Sequence, residues 1–249
     1  IKKDLNCKSS KNEITIINNQ AINQSYFSEK LIMDNIDIAI DKNLKNCTNI
    51  FNKIIPENNN EFILNNTAYF QKGIFIHFNN NTIIKQPIYI NNIINHSNEK
   101  AFLNCRYLFS FGKNVSAKII FKNINYGESY LNTLYELFIN DNSNVDFIIE
   151  STNPETTEII NFSSNIKKNA QLNIYPLYIS GKLIKNNYFI YLKEKNSTFN
   201  YNGINLLDGN NHIDNYIEIN HQNKYTNSNT NQKNILKGRS KGIFYSKAK

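Results

Sequence analysis

Apolar and polar residues alternate in short runs along most of the chain, and Asn-, Asp- and Gly-bearing segments separate the runs. In Ile74–Phe78, Ile74, Ile76 and Phe78 fall on one face and Phe75 and His77 on the other, the period of a strand. The same pattern or a β-branched, aromatic-rich composition predicts strands at Ile88–Ile94, Arg106–Phe111, Ala117–Phe121, Leu134–Ile139 and Val145–Ile149. It continues at Gln171–Tyr175, Tyr188–Leu192, Thr198–Tyr201, His212–Ile219 and Gly242–Tyr245, with an earlier strand at Ile14–Ile17. The turns are Asn79-Asn80-Asn81, Gly112-Lys113-Asn114, Asn140-Asp141-Asn142 and Asp208-Gly209-Asn210. Asn tolerates the left-handed conformation, so it can serve where Gly usually does.

One segment differs. Leu44, Cys47, Phe51, Ile54 and Ile55 recur at helical spacing, which predicts a helix over 44–55, ended by Pro56 and the run Asn58-Asn59-Asn60. Its apolar face is expected to cover an end of the core. From residue 68 onward no helical period is visible. Many short strands without intervening helices predict an all-β fold. A sandwich, a barrel and a parallel β-helix all fit. Few tight hairpin signals and a long run of strands without closing elements favour a solenoid, with Asn at its corners and bonded between coils, although no clean repeat is present.

Composition narrows the class. The 249 residues are 40% hydrophobic and 12% aromatic, enough for one substantial core and too aromatic for a disordered chain. No apolar run approaches the roughly 20 residues of a membrane-spanning helix. About one residue in five is Asn and about one in six Ile, and Lys far outnumbers Arg. This is the bias of A/T-rich coding sequence, and it accounts for the net charge of +8 without a nucleic-acid partner, because the lysines are scattered singly or in pairs. Cys7, Cys47 and Cys105 have no metal spacing and cannot all pair, which points to a reducing, cytoplasmic compartment. The chain opens on Ile1 and closes on Lys249 just after a strand-like run, so both ends read as internal to a longer or degraded protein.

Candidate chemistry is sparse. His77, His96, His212 and His221 show no metal-ligand spacing, though His212 and His221 could approach each other within a coil. Gly238-Arg239-Ser240-Lys241-Gly242 has the ingredients of a phosphate loop but reads better as a turn between strands. Asp141 and Asp146 flank a turn, and Glu155 and Glu158 are expected in a loop; they form no paired-carboxylate groove of the kind a β-helix enzyme of carbohydrate chemistry would need. Cys105, beside Arg106, is either a somewhat activated thiol or a small buried hydrophobe. The residues thus predict no catalytic site and favour a scaffold or binding role, with the carbohydrate-active enzyme as the alternative.

Four collinear segments resemble the SufB/SufD family of iron–sulfur cluster assembly, and SufD-type members more than SufB-type ones. Asn66-Thr67-Ala68 with Lys72-Gly73-Ile74 and Gln86-Pro87-Ile88 is similar to the family's N-T-A-F-x-x-D-G-x-x-I…K-P-I; Asn132–Ile139 is similar to N-x-x-T-E-I-x-V. Gly181–Asn187 is similar to G-G-K-L-V-R-N-N and is followed by the L-N-G-L-Y-L-L-D-G-like Asn202–Gly209. From His212 on, residues including Asp214, Asn215, His221, Ser228, Asn229, Lys233, Gly238, Gly242, Phe244 and Lys247 fall in step with the family pattern.

The resemblance implies a right-handed parallel β-helix over 66–249, capped by a mixed strand and helix segment over 1–65. It implies a non-catalytic scaffold subunit of a SufBCD-type complex. Such a subunit pairs with a SufB-like chain through its β-helix and with a SufC-like ATPase through a C-terminal region following Lys249. It binds no cofactor stably and sees only a transient iron–sulfur cluster in the full complex. No metal ligand is assigned, His221 being the one candidate. Lys224-Tyr225-Thr226 stand where the family often carries P-H-C, Asn220 replaces the acid before His221, and Tyr245-Ser246 replaces an Asn-Gly turn. A degraded remnant of such a subunit is the further reading.

Overall fold

The computed structural model describes residues 12–22, 30–54, 60–70, 72–95 and 100–249. It is a parallel β-solenoid of about six turns. One ladder of strands, sheet A, runs through β1 (Glu13–Ile17), β5 (Ile88–Asn95), β7 (Ser116–Tyr126) and the first halves of β9 (Asn144–Ile166) and β10 (Gln171–Leu192), then β11 (Thr198–Leu207) and β13 (Asn227–Leu236). The facing ladder, sheet B, runs through β4 (Lys72–Phe78), β6 (Ala101–Phe111), β8 (Ser129–Ile139), the second halves of β9 and β10, β12 (His212–His221) and β14 (Lys241–Ala248). Two short strands join antiparallel: β2 (Gln20–Ala21) on β1 and β3 (Leu31–Asn35) on β4.

Pleating sends alternate side chains between the sheets. Ala117, Ile119 and Phe121 of β7 point inward, while Lys118 and Lys122 point out to Asp146 and Glu150 of the next coil. Inward residues stack on their counterparts one coil on. Phe109, Phe121, Tyr135, Phe147 and Phe162 pack ring against ring with centroids 5.2 to 6.4 Å apart.

The corners between sheet B and sheet A carry the expected Asn. Asn81, Asn114, Asn142, Asn169 and Asn196 all have φ between 55° and 60°. Their amides form one ladder, each Nδ2 donating to the preceding Oδ1 at 2.7 to 3.0 Å. Coils are therefore 27 or 28 residues long where the ladder is regular. Tyr225, at φ 60°, holds the corresponding corner of the next coil. Replacing Asn142 tests both functions of the corner. Asn142→Gly loses two exposed hydrogen bonds and should cost about 1 kcal/mol. Asn142→Ala adds the left-handed penalty and should cost about 2 kcal/mol by urea unfolding. Equal costs for the two variants would remove the backbone argument.

The helical region departs from expectation. The helix expected over 44–55 is only α2 (Lys45–Thr48); Asn52 then turns into the left-handed region at φ 60°. Ile55, Pro56, Asn58 and Asn59 lie outside the described residues. Cys47 and Ile54 are buried, with Leu44 and Phe51 partly so. Leu44, Cys47 and Phe51 pack with α1 (Ile36–Asp41) on Phe75 and Leu108, on the outer face of sheet B and not on an end of the solenoid. That is why both faces of β4 are buried, Phe75 and His77 included.

A further helix, α3 (Glu61–Tyr69), crosses the same face. Asn60 caps it, its Oδ1 accepting from the amides of Phe62 and Ile63 at 3.0 and 3.4 Å. Beyond Phe70 the described residues contain no helix, and no described helix is long and apolar enough to cross a membrane. Glu155 and Glu158 lie within β9, not in a loop, because β9 continues unbroken from sheet A into sheet B.

Candidate functional site

Two of the motif segments, Asn66–Gly73 and Asn132–Ile139, meet where the helices pack on sheet B. Cys105 and Tyr107 point into the solenoid, so Arg106 between them points out, under the helices. Its Nε donates to Glu136 Oε1 at 3.1 Å, and neither side chain is exposed. The guanidinium lies 4.4 Å from the Phe51 ring centroid and 5.1 Å from that of Phe70. It also donates to the Asn52 side chain and to Thr67 Oγ1. Burial pushes the Glu136 carboxyl up while Arg106 pulls it down.

Asn66 completes the dock. Its Nδ2 donates to the backbone carbonyls of Cys105 and Asn132 at 2.9 and 2.8 Å. Asn132 in turn donates to the carbonyl of Phe62 and to Asn104 Oδ1, both at 2.8 Å. Gly73 permits the close approach of α1, since a Cβ there would stand 2.7 Å from both the Arg106 carbonyl and Ile36 Cδ1. A site so closed, with a buried ion pair and amides bonded across from helix to strand, holds helices to a sheet. It offers no accessible group for chemistry.

The histidines do not meet. His212 and His221 occupy opposite ends of β12, which puts them about 30 Å apart at the rise of an extended strand. His221 is held by two hydroxyls: Nδ1 lies 2.8 Å from Thr226 Oγ1 and Nε2 3.0 Å from Ser228 Oγ. Thr226 donates its own proton to the Asn223 carbonyl, so it accepts from Nδ1–H and leaves Nε2 to accept from Ser228. Thr226, standing at one of the departures from the family motif, thus engages one ring nitrogen. His77 is buried against Ser110 Oγ at 3.0 Å, and burial lowers its pKa. His96 lies outside the described residues. Among the described residues no group of three or more His, Cys, Asp or Glu side chains converges on a metal-sized site. The Gly238 segment is a turn between β13 and β14, with Gly238 at φ 71°.

The model of the family described as SUF system FeS cluster assembly, SufBD core domain, matches residues 92–249, more than half of the chain. The chain belongs to the SufBD core family. No curated protein matches it. The SufBD core match begins inside β5 and takes in all later coils, including Arg106, Asn132 and Glu136 of the dock. Asn66 and Thr67, the other half of the dock, precede it.

Within the SufBD core, Cys105 is not an activated thiol. It is 1% exposed, and burial pushes it up to about 12, the hydrogen bonds with Asn19, Tyr107 and Thr133 opposing. Arg106 gives it no activation because adjacent residues of a strand face opposite ways. Cys47, buried on the other side of sheet B, is pushed up to about 11 for the same reason. Iodoacetamide at pH 7.5 should therefore label neither Cys47 nor Cys105 in the folded chain and both in urea, as read by peptide mass mapping. Rapid labelling of Cys105 in the folded chain would show that this wall of the solenoid opens.

Proposed function

We propose that this chain is the β-helix core of a SufD-type subunit and acts as a non-catalytic scaffold in a SufBCD-type complex. Membership of the SufBD core family carries the proposal, and the family's role in iron–sulfur cluster assembly comes with it. The SufD-type motifs, with His212, Asp214, Asn215 and His221 in step, favour that subunit over SufB. On this reading the partner is a SufB-like chain that pairs through its own β-helix, by backbone hydrogen bonds between strands. A SufC-like ATPase docks on a C-terminal region following Lys249. The complex works in the cytoplasm, and the cluster is cargo, assembled transiently with ligands from later coils and the partner. The burial of Arg106 and Glu136 against each other under the helices supports a scaffold over an enzyme.

Co-expression tests the reading. The full-length protein should co-purify with a SufB-like subunit, and the 249-residue chain alone should not retain the SufC-like ATPase. Anaerobic reconstitution of this chain with iron and sulfide should leave no stable visible absorption band. A stable cluster that is lost in Cys105→Ala or His221→Ala would overturn the assignment of cluster chemistry to other segments.

A further inference from the structure

The interior of the solenoid is not wholly apolar. A polar column runs along each sheet on the inward side. In sheet A, Asn92, Asn123, Ser151, Tyr178 and Asn205 stand in register from coil to coil. In sheet B, Cys105, Thr133, Asn186 and Asn215 share one column, interrupted by Ile160. The columns touch across the interior: Asn123 Nδ2 donates to Tyr135 Oη at 3.5 Å and Tyr178 Oη to Asn186 Oδ1 at 3.2 Å. Glu158, 2% exposed, enters this seam beside Thr133, whose hydroxyl donates to Oε1 at 3.0 Å.

The seam leaves five buried atoms unpaired: Asn92 Oδ1, Glu158 Oε2, Tyr188 Oη, Asn205 Oδ1 and Asn215 Nδ2. The Asn atoms belong to amide pairs, where Asn92 and Asn186 donate to the buried Asn123 and Asn215 and Asn205 donates to the exposed Asn234, at 2.6 to 2.9 Å. Each pair stops at a neighbouring residue that is not an amide: Tyr178 adjoins Asn205, and Phe244 adjoins Asn215. Buried polar atoms in folded proteins are nearly always hydrogen-bonded, and water supplies the partner where protein does not. We propose that the seam binds internal water at these atoms, and that the water at Glu158 Oε2 makes this carboxyl a proton-binding site inside the solenoid.

The electrostatics agree with the geometry. The titratable groups facing Glu158 are Cys105 and Tyr107 of β6, Tyr135 of β8, and Tyr178 and Tyr188 of β10. Burial raises all five, so they are uncharged near neutral pH. Burial likewise lifts Glu158 from 4.5 to about 7, with the Thr133 hydroxyl opposing. Glu158 is then the member of the seam that gains and loses a proton near neutrality. Asn19, which accepts from Tyr107 Oη at 3.1 Å, also lines a surface pocket of about 300 Å³ with Lys72, Phe102 and Asn104.

Because its folded pKa is raised, the stability Glu158 contributes is full below its ordinary value of 4.5 and is lost as pH rises through about 7. The Tm of the chain should therefore fall between pH 4.5 and about 7, and in Glu158→Gln that component of the fall should vanish. Oxygen-17 relaxation dispersion counts long-lived internal water. Glu158→Gln should keep the count of the parent. Glu158→Leu should lower it, since it continues the aliphatic column of Leu131, Ile184 and Ile213. An unchanged count in Glu158→Leu would overturn the water site, and an unchanged pH slope in Glu158→Gln would overturn the proton site. Should the Leu variant fail to fold, a crystal structure of the parent decides: no ordered water at Glu158 Oε2 overturns the proposal.

Discussion

Glu136→Ala should destabilise the chain by about 3–5 kcal/mol, because it strands the Arg106 guanidinium in a site without exposure. The remaining partners, the Asn52 and Thr67 side-chain oxygens and the faces of Phe51 and Phe70, carry no charge to replace the carboxylate. The loss should appear first in the helices, so limited proteolysis near residues 44–54 should accelerate before the coils unfold. Replacing both partners, as in Arg106→Met with Glu136→Leu, should recover most of the loss, since the surrounding cluster of Ile36, Phe75 and Leu108 is apolar. A single Glu136→Ala loss below about 1 kcal/mol in urea would mean that the pair is hydrated in solution.

Phe147→Ala should cost a similar amount for a different reason. Phe147 is fully buried and its ring lies 5.2 Å from Phe109 and 5.8 Å from Phe162. Truncation opens a cavity between coils that strands held in two hydrogen-bonded ladders cannot close, so about 3–5 kcal/mol is expected. Phe147→Leu should cost clearly less, because it refills most of the volume. Equal losses for Ala and Leu would show that ring stacking, and not volume, sets the stability of the stack. Because coils touch only their neighbours, the damage should be local, with amide exchange fastest in β7, β9 and β10.

The coils were legible because their inward face is apolar at a period of two and their corners are Asn. Where either signal fails, so does the reading. β13 is Asn-Ser-Asn-Thr-Asn-Gln-Lys-Asn-Ile-Leu, almost without apolar alternation, and its place comes from parallel pairing with β11. β10 looked like two strands because Pro176, Gly181 and the Asn186-Asn187 pair resemble breaks, yet the chain only bends there from one sheet into the other. Asn60 belongs to a run that was expected to end one helix and instead caps the next.

The dock was half legible. Asn66, Asn132 and Glu136 fall within motif segments, but nothing local pairs Glu136 with Arg106, 30 residues earlier. That pairing exists only once β6 lies beside β8. Glu158 is expected in a loop because a charged residue among Thr and Asn reads as solvent-facing, and only its register with Leu131 and Ile184 turns it inward.

The amide ladder at the corners sets how this fold tolerates insertion and deletion. From Asn114 on, each rung spans 27 or 28 residues and sees only the rung before and the rung after. Gain or loss of one whole period restores every inward column and every corner, whereas a change of a few residues breaks register along two sheets at once. Length variation in such a molecule is therefore quantised in coils, except where the Asn60 and Asn66 side chains tie the helices to Asn161 of β9 and to the Cys105 and Asn132 carbonyls of β6 and β8. Those coils are fixed in place by long-range bonds, and the later ones are free to be counted up or down.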